Sequence, residues 1–313
     1  MRIGISITSR YSVSNARVGA EYMIQRAKAA ADAGLDSFFM GDHHVTPDPY
    51  YQNTPILARC LAEWRDAPAG ALYLLPFRHP VLLAQEIGTL ASLMPNRFIM
   101  QCALGYGERE FAAFGINPTH RTSRFEECLE VMRRLWAGET VSHQGRWTIN
   151  DARISPTPPE AVEVWIGAKA KSAIQRAARL GDGWLASPQL TPDEAKVDLD
   201  YYLECCDKEG RKPGVTAIRR DIYVGEDERS AQTIGGAMVA AGYQGMAPTA
   251  TIVGDAESVA NSLRHYAEMG YGDVIVRNLV SDQDEALAST ARLQLVKQYL
   301  SLYSQPEKSC PDS

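Results

Sequence analysis

The sequence predicts an α/β protein of the (β/α)8 TIM-barrel class, on two observations. Segments with the apolar alternation of a strand are followed by segments with the apolar spacing of a helix along most of the 313 residues. Eight strands can be counted in this way. A barrel of this kind commonly needs about 250 residues plus insertions, which the chain accommodates. An open doubly wound sheet has the same alternation, and the count of eight favours the closed barrel.

The first unit is the most regular. Apolar alternation over Arg2 to Ile7 predicts strand one, and Gly34 ends the helix that follows. Leu35 to Met40 is then predicted as strand two. The apolar residues of helix one recur at helical spacing: Ala20, Met23, Ile24, Ala27 and Ala31.

The later units follow the same reasoning. Ser123 is predicted as the N-cap of helix four, because Glu126 comes three residues later and an apolar face follows. The other six strands are predicted at 69–75, 97–104, 162–166, 183–187, 216–224 and 273–277. The other helices are predicted at 55–65, 81–93, 171–180, 192–209, 256–269 and 284–303.

Two segments interrupt the alternation and are predicted as insertions after strands four and seven. Gly138 to Pro159 is polar and punctuated by Gly and Pro, which indicates a surface excursion. Ser230 to Thr251 is rich in Gly, Ala and Met, which suits a mobile helix or lid over the strand ends. We therefore expect one barrel domain over 1–303 and a flexible tail over 304–313.

Composition narrows the classes of partner. The net charge of −6 and the lack of a long basic run argue against nucleic acid or an anionic membrane, so a small-molecule substrate is expected. The N-terminus lacks the features of a secretory signal, and no window is apolar enough to span a membrane, which predicts a cytoplasmic protein. The six cysteines show no metal-ligand spacing and are expected to be reduced thiols, with no metal bound.

Four segments carry a resemblance to a known family. They are Gly41 to His44, Leu75 to Ala84, Arg97 to Gly115, and Trp165 to Trp184. In this order they resemble the luciferase-like monooxygenase family. From about Thr191 onward the resemblance is weaker.

The resemblance implies a barrel with reduced flavin mononucleotide (FMN) or a deazaflavin coenzyme at the carboxyl ends of the strands, where barrels place their ligands in any case. It implies a two-component monooxygenase, in which a separate flavin reductase supplies reduced FMN and oxygen oxidises a small organic substrate. Two alternatives remain: a deazaflavin-dependent dehydrogenase or reductase, and a non-catalytic flavin-binding subunit. Family members commonly form homodimers.

Two catalytic residues are expected. The functional histidine of the family falls at His43, where imidazole can donate a hydrogen bond or a proton near neutral pH. His44 is expected to point the other way along an extended segment. Glu110 matches an acidic position of related sequences and Glu108 competes with it, although acidic residues also favour the first turn of any helix.

Most of the cofactor-binding residues are expected on two segments. Gly105 and Gly107, with Tyr106 between them, let the backbone approach the ring or its side chain. Backbone N–H groups at the start of helix five suit the cofactor phosphate, with Gly167, Ala168, Lys169 and Ala170.

The sequence departs from the family at the phosphate. Related luciferases carry an arginine where this chain has Leu104, and Arg121 is expected to compensate. Four further residues are expected around the ring inside the barrel, although filling the core is the ordinary role of such side chains. They are Met40, Tyr73, Cys102 and Trp184.

Overall fold

The structure is a computed structural model that describes residues 1–303. The predicted tail over 304–313, with Cys310, lies outside the described residues. The strands in chain order are β1 (Arg2–Ile7), β2 (Ser37–Met40), β3 (Ala69–Leu74), β4 (Phe98–Ala103), β5 (Val141–Gln144), β6 (Thr148–Ala152), β7 (Glu163–Ala168), β8 (Gly183–Ala186), β9 (Val215–Val224), β10 (Thr251–Gly254) and β11 (Asp273–Asn278).

Eight parallel strands close into a barrel. Their order is β11-β1-β2-β3-β4-β7-β8-β9, and β9 pairs with both β8 and β11, so the ladder has no free edge. The predicted (β/α)8 barrel is therefore confirmed. A ninth parallel strand, β10, pairs with the far end of β9, while β5 and β6 form a separate antiparallel hairpin.

Helices surround the barrel and connect its strands. Gly270, at φ 111°, ends the helix before β11 in the left-handed conformation that glycine favours. The helices are α1 (Ala16–Asp32), α2 (Asn53–Leu61), α3 (Pro80–Ser92), α4 (Glu108–Ala113), α5 (Arg121–Trp136), α6 (Lys171–Leu180), α7 (Pro192–Lys208), α8 (Glu228–Ala231), α9 (Ala237–Ala240), α10 (Ala256–Met269) and α11 (Gln283–Tyr303).

Successive strand residues face opposite sides of the barrel wall. The inward side chains of five strands form one cluster in the barrel interior, and those facing outward pack against the helices. The inward cluster comprises Phe39, Ile99, Trp165, Ala217 and Ile275. The middle of the barrel is thus a filled core, so a ligand has room only above it.

This alternation corrects one group of expected cofactor residues. Met40, Tyr73, Cys102 and Trp184 are fully buried, but their side chains belong to the core between the strands and the helices. Met40 follows the inward-facing Phe39, and Trp184 stacks on Tyr202 of α7 at 5.2 Å between ring centroids. The expectation that these four side chains face a ring inside the barrel is wrong, because each lies on the outward face of its strand.

A second correction concerns the start of α5. The helix begins at Arg121, and His120 rather than Ser123 occupies the N-cap position. A turn of 3-10 helix over Pro118–His120, capped by the Asn117 side chain, runs directly into α5. Ser123 instead donates its hydroxyl to the His120 carbonyl at 3.1 Å.

Both predicted insertions are present. The first contains the β5–β6 hairpin, which Arg124 fixes to the barrel by lying 4.3 Å over the Trp147 ring and donating to the Pro76 carbonyl. The second, over 228–250, is a series of short helices that includes a π-helix at Gln232–Gly236. Tyr243 of this segment packs beside Tyr223 of β9.

Other sequence expectations concern cysteines, metals and membranes. The five cysteines among residues 1–303 are buried and unpaired with one another. Within the same part of the chain, no cluster of three or more His, Cys, Asp or Glu side chains could hold a metal ion. None of the helices described is long and apolar enough to cross a membrane.

Gly70 of β3 packs directly against the backbone of β4, and a side chain there should be destabilising. A Cβ at Gly70 would lie 1.8 Å from the Ile99 carbonyl oxygen of β4, so Gly70→Ala must push the two strands apart. We expect a loss of about 2 kcal/mol or more in the free energy of unfolding. Thermal unfolding followed by circular dichroism measures it.

Gly272→Ala is the matched control. A Cβ at the exposed Gly272 would lie 3.8 Å from its nearest neighbour, Thr216 Oγ1, which is an ordinary van der Waals contact, so the melting temperature should hardly change. Equal melting temperatures for the two variants would contradict the close approach of β3 and β4.

Candidate active site

The carboxyl ends of the barrel strands meet at one end of the molecule, which we call the barrel mouth. We define it by five residues on or after the carboxyl-terminal parts of β1, β2, β9 and β11 and on α4, the helix that follows β4. They are Thr8, His43, Glu110, Asp221 and Arg277. Loops after the strand ends can vary without disturbing the wall, so barrels place binding and catalytic groups here.

His43 and Glu110 lie together at the mouth. Glu110 is buried in α4, where its Oε1 accepts a hydrogen bond from the His44 backbone N–H at 2.8 Å. His43 Nδ1 lies 3.7 Å from the same oxygen, a charge contact longer than a hydrogen bond. Glu108 is exposed and has no such contact in the part of the chain described. The carboxylate that meets His43 is therefore Glu110.

The surroundings of His43 favour its neutral form. Burial lowers the pKa of His43 because it disfavours the imidazolium, while the Glu110 carboxylate opposes that change. The imidazole is therefore neutral near pH 7 and can accept a proton. Its side chain remains 46% exposed, so a ligand in the mouth can reach it.

The two neighbours of His43 are structural. Asp42, 1% exposed, accepts hydrogen bonds from the Leu74 N–H at 2.9 Å and from Arg78 Nη2 at 3.1 Å, which tie the end of β2 to the end of β3. His44 is buried with its ring edge-on to Phe77 and Phe114. As expected for an extended segment, His43 and His44 point to opposite sides.

A second charged group lines the other side of the mouth. On β9, Arg219 Nε donates to Asp221 Oδ1 at 2.9 Å, and the Tyr243 hydroxyl donates to Asp221 Oδ2 at 2.9 Å. On β11, Arg277 Nη2 donates to Thr8 Oγ1 at 3.2 Å. Our sequence reasoning missed this group. The available signal was the presence of charged residues at alternate positions of a strand inside an otherwise apolar wall.

Tyr50 is a further residue that sequence reasoning missed. Its ring lies edge-on to His43, with 5.6 Å between ring centroids. A Cβ at Gly41 would lie 3.0 Å from the Tyr50 hydroxyl, so the glycine at the end of β2 leaves room for that group. Tyr50 belongs to the loop after β2, which no periodic pattern describes.

An apolar cluster lies beside the mouth. Leu74, Phe77 and Phe111 form a buried cluster there, with Ala103 and Ile116 packed against it. Gln101 lies on the inward face of β4, two residues before Ala103, and is 4% exposed. Its amide nitrogen has no hydrogen-bond partner among the described residues. A buried donor without a partner is costly, so it indicates a ligand atom that accepts its hydrogen bond.

The start of α6 fits a phosphate. No side chain caps the helix at Ala170, which leaves the first backbone N–H groups available to an anion. Lys169 and Ala170 are exposed, Gly167 faces the barrel interior, and the Ala168 carbonyl accepts a hydrogen bond from Trp184. Gly167, Lys169 and Ala170 thus lie at or next to this helix start. The Ala168 side chain points away from it.

The other expected cofactor residues fall in different surroundings. Gly105 has φ 72° and packs over Phe77, as a tight turn requires. Tyr106 is 80% exposed at the rim, 6.4 Å from the His43 ring. A Cβ at Gly107 would lie 2.7 Å from Glu110 Oε2, so Gly107 makes room for that carboxylate. Arg121 is exposed at the first turn of α5.

The profile of the luciferase-like monooxygenase family matches residues 1–244. The chain belongs to this family. The resemblance seen in the sequence motifs is thereby confirmed, and the protein is a luciferase-like oxidoreductase.

Curated relatives and solved structures in this family carry two different cofactor descriptions. An F420-dependent glucose-6-phosphate dehydrogenase from Microbacterium testaceum is 28% identical over 207 residues, which is 62% of this chain and 61% of that protein. The monooxygenase RslO1 from Streptomyces bottropensis superimposes with a TM-score of 0.83 at 21% identity, covering 97% of this chain and 100% of that one.

A third comparison is with the oxygenating constituent of 3,6-diketocamphane monooxygenase from Pseudomonas putida, solved with FMN. It has a TM-score of 0.83 at 17% identity and covers 98% of this chain and 100% of that one. At these identities the two solved structures share the barrel fold with this chain. Together the relatives support a flavin or deazaflavin oxidoreductase.

The contact between His43 and Glu110 predicts a change in titration. Because the Glu110 carboxylate raises the pKa of His43, Glu110→Gln should lower that pKa further. The carbonyl oxygen of glutamine can still accept from the His44 N–H, so the loop should keep its conformation. The Cε1–H resonance of His43, followed by NMR over a pH series, reports the pKa.

Glu108→Gln removes the same charge two residues earlier and is the control. It should leave the pKa of His43 almost unchanged, because Glu108 is exposed to solvent. An equal shift in both variants, or none in Glu110→Gln, would show that Glu110 has no special coupling to His43.

Proposed function

We propose that the protein is a deazaflavin-dependent oxidoreductase that transfers a hydride between coenzyme F420 and a small alcohol or carbonyl substrate. The observation that carries this proposal is the neutral His43 beside the buried Glu110 at the barrel mouth. Oxidation of an alcohol to a carbonyl releases a hydride from carbon and a proton from oxygen. The bound coenzyme supplies the hydride acceptor.

His43 is suited to take the proton. Its neutral imidazole can accept the hydroxyl proton as the C–H bond breaks, and the Glu110 carboxylate then stabilises the imidazolium that forms. In the reverse direction the same pair returns the proton to the carbonyl oxygen. The links from Asp42 to Leu74 and Arg78 hold the end of β2, and thereby the segment that carries His43.

Two curated relatives also support the deazaflavin over FMN. At 28% and 33% identity, they are described as F420-dependent dehydrogenases.

The second candidate is the two-component monooxygenase, in which reduced FMN comes from a separate reductase. It is favoured by the apolar side of the mouth, where Leu74, Phe77 and Phe111 exclude water. The segment from Gly105 to Phe111 also resembles the luciferase side of the family. In this candidate, His43 donates or accepts a hydrogen bond at the reacting oxygen.

Coenzyme titration separates the candidates. Purified protein is titrated anaerobically with F420, oxidised FMN and reduced FMN, and binding is followed by fluorescence. Tight binding of F420 alone supports hydride transfer. A clear preference for reduced FMN, with substrate oxidation that needs oxygen, supports the monooxygenase and overturns the first proposal. Tight binding without turnover of any substrate would indicate a non-catalytic subunit.

His43→Asn should impair the chemical step. Loss of a proton acceptor is expected to lower kcat by about 10²- to 10⁴-fold, with little change in coenzyme affinity. In the wild type, kcat/KM for alcohol oxidation should rise with pH and level off above the pKa of His43, because only the neutral imidazole accepts a proton. That rise should be absent in the variant.

The control for this variant is His265→Asn on the exposed face of α10, where the side chain is 60% exposed. Its kcat and pH profile should match those of the wild type. If His43→Asn reduced coenzyme affinity and thermal stability as strongly as kcat, His43 would be a structural residue.

The phosphate site is proposed at the start of α6, with Lys169 and Arg121 as its cations. Lys169→Met and Arg121→Met should each reduce affinity for the phosphate-bearing coenzyme by a few-fold. Affinity for the same ring system without its phosphate should not change; the pairs compared are F420 with its phosphate-free deazaflavin, and FMN with riboflavin. The ratio of the two dissociation constants measures the effect.

Lys196→Met, on the exposed side of α7, removes the same charge from an ion pair with Asp200. In this control, the ratio of the dissociation constants with and without the phosphate should stay at its wild-type value. A ratio that is unchanged by Lys169→Met and Arg121→Met would place the phosphate elsewhere.

A further inference from the structure

Arg277 is a guanidinium in the mouth without a carboxylate partner. It lies at the inward-facing end of β11, is half-buried, and donates one hydrogen bond to the neutral Thr8 hydroxyl. Among the ion pairs of residues 1–303, none includes Arg277. A guanidinium that is partly exposed and not paired with a carboxylate is available to bind an anionic ligand.

The nearest carboxylate on this side is already engaged. Asp221 stands opposite Arg277 in the register of β9 and β11, and its side chain is fully buried. It pairs with Arg219 at 2.9 Å and accepts the Tyr243 hydroxyl at 2.9 Å. Arg219 and Arg277 thus lie near a single carboxylate, that of Asp221. This group of three side chains therefore carries one positive charge in excess.

Arg277 and His43 face the same space. Thr8, which binds Arg277, follows β1, and β1 lies between β11 and β2 in the barrel. The Arg277 charge lowers the pKa of both His43 and Tyr50. At Tyr50, burial raises the pKa more than the Arg277 charge lowers it. The Tyr50 hydroxyl therefore keeps its proton and remains a hydrogen-bond donor.

We propose that Arg277 binds a carboxylate on the substrate, so that the protein acts on a small organic acid that also carries an alcohol or carbonyl group. The planar guanidinium suits the two oxygens of a carboxylate, and the Tyr50 hydroxyl supplies a further donor. Bound in this way, the reacting carbon lies towards His43. The inference rests on the proposed function, because it names the substrate class of the same site.

The coenzyme phosphate does not fill this role. Its proposed place at the start of α6 follows β7, and β7 is three strands from β11 by the shorter way round the barrel. The two anions therefore have separate places, and a carboxylate should still bind when the coenzyme is present.

Calorimetric titration with matched probes tests the inference. Hexanoate and benzoate are compared with hexanamide and benzamide, which have nearly the same shape and no charge, on the coenzyme-free and the coenzyme-loaded protein. The wild type should bind the carboxylates about tenfold or more tightly than the amides in both states. Arg277→Met should abolish that preference, and Arg277→Lys should keep part of it.

Arg134→Met is the matched control. It removes a guanidinium from the outside of α5, where Arg134 pairs with Glu139, and should leave the preference intact. Arg277→Gln retains a donor for Thr8 and replaces Arg277→Met if that variant does not fold.

Three results would overturn the inference: equal affinity for carboxylates and amides, no binding of either, or a preference that survives in folded Arg277→Met or Arg277→Gln. Loss of carboxylate binding on loading the coenzyme would assign Arg277 to the coenzyme instead. These titrations involve no turnover. The carboxylate preference can therefore be absent from a protein that binds its coenzyme and catalyses hydride transfer, and it can be present in one that does not.

Discussion

Closure of the parallel ladder is the constraint on which the rest of the structure depends. Because β9 pairs with both β8 and β11, each strand residue must face either the barrel interior or the helices. Phe39 and Trp165 then fill the middle of the barrel, and a ligand can enter only at the mouth. The same rule excludes the Trp184 side chain from the site, although it lies on a strand that reaches the mouth.

The mouth combines an apolar side with a charged side, and each suits a different part of a redox reaction. Phe77 and Phe111 belong to a buried apolar cluster beside the mouth, and the amide nitrogen of Gln101 has no hydrogen-bond partner among the described residues. His43 and Arg277 bring a titratable imidazole and a guanidinium to the mouth from two different elements, the segment after β2 and the end of β11.

Rigid supports stand behind the reactive groups. Asp42 is fully enclosed and holds the segment next to His43 through one backbone and one guanidinium donor. Glu110 is held in turn by the His44 N–H, and Gly107 leaves the space that its carboxylate occupies. Buried, hydrogen-bonded supports of this kind limit side-chain motion, which favours catalysis by positioning.

The sequence by itself determined the barrel class, the eight barrel strands and the long helices between them, because apolar periodicity and local motifs are properties of neighbouring residues. It also made His43 the expected catalytic residue. It also restricted the carboxylate to Glu108 or Glu110. Tertiary structure alone selected Glu110, turned Met40 and Trp184 outward, and brought Arg277 towards His43. Those outcomes depend on strand register and barrel closure, which join residues more than 200 positions apart, such as Arg2 and Asp273, and which no local pattern records.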